Sequence, residues 1–67
     1  MKLQINDSGS WRHIAAFAQE DERDVRARSV KLLVVINERA KLRILDDQNS
    51  ATATCKGPDF NWCEVPR

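Results

Sequence analysis

The side chains able to do covalent or acid–base chemistry are few: one histidine, His13, and two cysteines, Cys55 and Cys63. A Cys–His nucleophile pair needs proximity, an orienting partner and an oxyanion hole, and no motif in the chain announces them. A closed zinc site needs about four ligands, more than these three side chains supply. Glu20, Asp21, Glu22 and Asp24 are the densest carboxylates. They are contiguous at a helix start, not paired across a cleft, so they read as a solvated first turn. Gly9 and Gly57 stand alone, each in a turn, which excludes a glycine-rich phosphate loop. There is no serine elbow and no His–Glu metal helix. The expectation is a protein that is not an enzyme, with no catalytic residue, metal or cofactor.

Those residues sit on elements that the hydrophobic spacing outlines. Leu3 and Ile5 alternate with Lys2, Gln4 and Asn6, the period of a half-buried strand. Asn6 to Ser10 concentrates turn formers, and a second strand follows from about Trp11 to Phe17. Ile14 and Ala16 are the favoured inward pair of that strand, with Trp11, His13 and Ala15 on its other face. A helix is expected from Glu20 to about Asn37, with Ala27, Val30, Leu33 and Val34 as its core stripe. Val25, Leu32, Val35 and Ile36 widen the apolar surface, and the β-branched end of that run also reads as a buried strand. Lys41 to Asp46 alternates again, Asp46 to Ser50 is a turn cluster, and Ala51 to Cys55 forms the returning strand. Lys56-Gly57-Pro58-Asp59 makes another tight turn before Phe60, Trp62 and Val65. The expected fold is α+β: a small antiparallel sheet with one helix packed on one face, order β-β-α-β-β, with room for one further short strand.

The chain of 67 residues reads as a single domain, 1–67, with 42% hydrophobic and 31% charged residues. A domain this short buries only about 60% of the surface its unfolded chain exposes. Stability should be modest, and dimerisation would relieve the shortage of core. The longest uncharged apolar run, Leu32 to Ile36, is too short to span a bilayer, so no membrane partner is expected. Without a secretory pattern at Met1 to Asp7, the expected compartment is cytoplasmic. There, Cys55 and Cys63, with seven residues between them, are expected to be reduced thiols. A disulfide across the intervening turn is the alternative.

The net charge of +1 hides a segregation. Between Arg23 and Arg43 lie seven basic residues (Arg23, Arg26, Arg28, Lys31, Arg39, Lys41, Arg43) and two acids, Asp24 and Glu38. Lys41 and Arg43, with Lys2 and Arg12, should project from the open face of the sheet, and Arg23, Arg26, Arg28 and Lys31 from the helix flank. Trp62 is a candidate anchor beside arginines, because Trp and Arg dominate binding energy at interfaces. The candidate partner-binding set is therefore Arg23, Arg26, Arg28, Lys31, Lys41, Arg43 and Trp62. An acidic protein surface and a nucleic-acid backbone both fit such a set. The expected sheet positions are Lys, Gln, Asn and Arg without an aromatic pair, which favours protein over RNA.

The opening strand Lys2 to Asn6, the hairpin, the single charged helix, the Arg/Lys-bearing strand and the closing Phe60-Asn61-Trp62-Cys63 edge together resemble the very small α+β proteins of phages and mobile elements, including anti-CRISPR proteins. The resemblance covers the whole chain. It implies a stoichiometric inhibitor that binds a nucleoprotein effector complex. A small nucleic-acid-binding accessory or regulatory domain is the alternative, as is a structural subunit whose exposed Trp11 or Trp62 docks into a larger assembly.

Overall fold

The computed structural model describes residues 1–7 and 9–66; Ser8, within the expected first turn, and the terminal Arg67 lie outside the described residues. Five strands and one helix follow in the order β1 (Lys2–Asn6), β2 (Trp11–Ala16), α1 (Glu22–Ile36), β3 (Lys41–Leu45), β4 (Ala51–Lys56) and β5 (Cys63–Glu64), with a 3-10 turn at Gln19–Asp21 leading into α1. The sheet order is β2-β1-β3-β4-β5 and every neighbouring pair is antiparallel. β1 lies between β2 and β3, so the chain from Phe17 to Ala40 must cross one face of the sheet, and α1 is that crossing. The expected α+β architecture and element order are found, with β5 as the further short strand.

Residues opposite each other in an antiparallel ladder share a face, so the registers sort the sheet into rows. Leu3, Ile44 and Ala53 form one row beneath the helix, and Ile5, Leu42 and Cys55 another. With Leu33, Ala40 and Phe60 these make the core, in which Leu42 and Ile44 are fully enclosed. Gly57 is required where the β4 end approaches the chain leaving the helix. Its N–H donates to the Ala40 carbonyl at 3.1 Å, and a Cβ there would lie 1.6 Å from the Glu38 carbonyl oxygen. The Asp46–Ser50 turn is tied by its first side chain, whose Oδ1 accepts from the N–H of Gln48 (2.8 Å) and of Ser50 (3.0 Å).

Two expectations about burial are corrected. In β2, Leu3 pairs with Ala15 and Gln4 with His13, which leaves Ile14 as the extra residue of a bulge. The bulge resets the alternation: no residue of β2 is buried, Ile14 is 48% exposed, and Ala16 stands beside Lys2 on the face away from the helix. In α1, Ala27 and Val34 face solvent; the covered stripe is Glu22, Val25, Arg26, Ser29, Val30, Leu33 and Asn37. The reason is tertiary. The Trp62 indole N–H donates to the Arg26 carbonyl at 3.1 Å, which turns the Arg26 side of the helix toward the C-terminal segment.

Candidate binding face

Rows facing away from the helix form an open, polar face. One row reads Trp11, Asn6, Lys41, Lys56 across β2, β1, β3 and β4. The next reads His13, Gln4, Arg43, Thr54, Cys63 across all five strands. Arg43 ties the rows together. Its Nε–H donates to Gln4 Oε1 at 2.7 Å, and its guanidinium reaches over β1 to lie 4.2 Å from the Trp11 ring centroid. That distance is a close cation–π stack. Trp11, Lys41, Thr54, Lys56, Asn61 and Cys63 line a shallow depression of about 510 Å³ on this face, to which Asp59 also contributes.

Lys41 and Lys56 are directly opposite in the β3–β4 ladder. Both are exposed, and among the described residues neither makes a hydrogen bond or ion pair. Like charges at facing positions destabilise a strand pair. This pair therefore costs the isolated fold something and leaves two ammonium groups without a counterion.

The seven residues singled out from the sequence do not form one surface. Lys41 and Arg43 are on the open face. Arg23, Arg28 and Lys31 are exposed on the helix, on the far side of the sheet. Arg23 and Arg28 also diverge, because five residues at 100° each place them about 140° apart around the axis. Arg26 and Trp62 are used inside the molecule. Arg26 pairs through Nη2 with Glu22 and through Nη1 with Glu64 at 2.8 Å, and its guanidinium lies 5.5 Å from the Trp62 centroid. The hydrogen bond from Arg26 holds the Glu64 carboxyl below its ordinary range, and the same bond raises the Arg26 pKa. This group latches helix to C-terminal segment.

Lys56 was not among the residues singled out, and Trp11 was named only, beside Trp62, as a docking residue for a larger assembly. Lys56 was hidden by a bulge: the turn sets Leu45 opposite Ala51, centred on Gln48, and only the extra residue Thr52 brings Lys56 opposite Lys41. Trp11 stands on the outward face expected for it, while the bulge at Ile14 turns Ala15 toward the helix and Ala16 away. Arg12 lies in the Ile5 row on the helix side, not among the open-face cations.

The cysteines are free, Cys55 buried and Cys63 exposed. Cys63 pairs with Thr54, so Cys55 and Cys63 point to opposite faces and do not meet across the hairpin. Burial pushes the Cys55 thiol up to about 11, the wrong direction for a nucleophile. His13 and Cys63 stand at opposite edges of the sheet, about 19 Å apart at the usual strand spacing. They do not form a dyad. No group of three or more His, Cys, Asp or Glu side chains is placed to hold a metal among the described residues.

No family model, curated protein or solved structure matches the chain.

Proposed function

We propose that this protein is a non-catalytic binding module that engages an anionic macromolecule through the open face of its sheet. The observation that carries this reading is the facing Lys41–Lys56 pair, unpaired and beside the Trp11–Arg43 stack. A fold maintains such a pair against its own repulsion most simply when a partner supplies the counter-charge. An inhibitor of a nucleoprotein effector is one form this activity takes. On this charge pattern it would grip the effector's nucleic acid or an acidic protein patch, because a cationic nucleic-acid channel would repel it.

The test is binding to immobilised heparin, a generic polyanion, at low ionic strength. The native protein should be retained and eluted by salt, while a Lys41→Glu/Lys56→Glu variant of unchanged circular dichroism should flow through. Equal retention of the two would remove the open face from consideration. Reversal at Arg26 is the wrong probe, since it breaks the latch before it reports on any partner.

A further inference from the structure

Resting on the open-face reading, we propose that the partner is a single-stranded nucleic acid, with a base stacking on the Trp11–Arg43 pair and neighbouring phosphates on Lys41 and Lys56. An acidic polypeptide needs only cations. This face offers more. A cation–aromatic pair is already assembled, with the guanidinium carbon 4.2 Å from the indole centroid. Aromatic rings and arginine planes are the two surfaces on which unpaired bases stack. Around the pair are the Asn61 amide and the Thr54 hydroxyl, which can donate and accept as base edges require. The Gln4 and Asn6 amides are there too; their oxygens already accept from Arg43 and from the Gly9 N–H, and their NH2 groups are left to donate. The depression of about 510 Å³ that Trp11 helps to line falls in the size range of small-ligand sites, room enough for a base and sugar.

Duplex is disfavoured by the same geometry. Its bases are already stacked on one another, so none is free to lie against the Trp11–Arg43 pair. The cations are few, so affinity should be modest and its salt dependence shallow. Two or three neutralised phosphates give a slope of log K against log salt of about −1.4 to −2.1 on a single strand.

The test is fluorescence anisotropy with a labelled twelve-nucleotide oligo-dT and oligo-U, a duplex of equal length, and poly-L-glutamate, run on the intact protein at low salt. The proposal expects micromolar binding of a single strand at least fivefold tighter than duplex or polyglutamate. Trp11→Leu should weaken it about tenfold with the salt slope unchanged. Lys56→Gln should weaken it less and flatten the slope by about 0.7. Lys56 is exposed, so that variant remains informative if Trp11→Leu unfolds. Equal affinity for single strand and duplex, or no loss in a folded Trp11→Leu, overturns base stacking. Binding of heparin or polyglutamate without oligonucleotide overturns the nucleic acid and leaves the open-face reading standing. Binding of no polyanion at all overturns both.

Discussion

The two broad surfaces of this molecule break opposite rules. The open sheet face leaves charge without counter-charge: Lys41 and Lys56 face each other and neither is paired. The outer side of α1 leaves apolar surface without cover, with Leu32 60%, Val34 53%, Val35 82% and Ile36 65% exposed. One helix over five strands explains the part of the second surface that lies beside β2. A single helix is about 10 Å wide, whereas five strands span about 20 Å, so β2 and the helix flank beside it stay open. A groove of about 340 Å³ between them is lined by Leu3, Ala15, Phe17, Val25 and Leu32. The comparison teaches where stability resides: in the strip between these two surfaces, under the helix axis.

The sharpest way to break that view is in the strip itself. Leu42→Ala removes a side chain with no exposed surface and should cost about 2–5 kcal/mol. In a domain with a small margin, that is most of the stability, and urea unfolding should show little folded baseline. A loss below about 1 kcal/mol would mean that the core collapses around the cavity and that the strip is not the source of stability.

Next comes the latch at the strip's edge. Trp62→Phe keeps one aromatic ring but removes the indole N–H with its 3.1 Å bond to the Arg26 carbonyl and part of the packed ring system, and should cost at least about 1 kcal/mol in the same experiment. The latch also predicts a pH dependence. Arg26 lowers the folded-state pKa of Glu64, so the contribution of this pair is whole above the ordinary carboxylate value of 4.5 and is lost as pH falls through the lower folded value. Arg26→Gln should flatten that acid limb in thermal unfolding between pH 5 and pH 3, windows set by about one unit either side of the carboxyl range. An unchanged acid limb would detach Glu64 from the latch.

These features mark what sequence reasoning reached. Strand period placed β1, β3 and β4, because Leu3/Ile5 and Leu42/Ile44 alternate with polar neighbours and one face is buried. The acidic first turn and the Asn37 end bracketed α1. The phase of the helix was not legible, since Leu32 to Ile36 are all apolar and any rotation buries some of them. The long-range bond from Trp62, 36 residues away, chooses the rotation. The faces of Ala15 and Ala16 were hidden for a related reason: a one-residue bulge reverses side-chain direction, and nothing local to Ile14 marks it. Positive charge was legible as a run, but not as two surfaces and a latch, because that partition depends on which arginine meets Glu22 and Glu64.

The smallest stability effects fall on the two surfaces, and their signs differ. Val35→Ala should change stability by less than about 0.5 kcal/mol, because an 82% exposed side chain gives up little on truncation. Lys56→Glu should raise stability slightly, by about 0.2–1 kcal/mol, since it replaces a repulsive facing pair with an attractive one opposite Lys41. That gain should shrink in high salt, where exposed charges are screened. A variant that is more stable yet no longer retained on heparin would separate what the open face does for folding from what it does for binding. If Lys56→Glu instead destabilises the protein, the lysine has a partner within the fold, and the argument that the facing pair exists for an outside anion loses its footing.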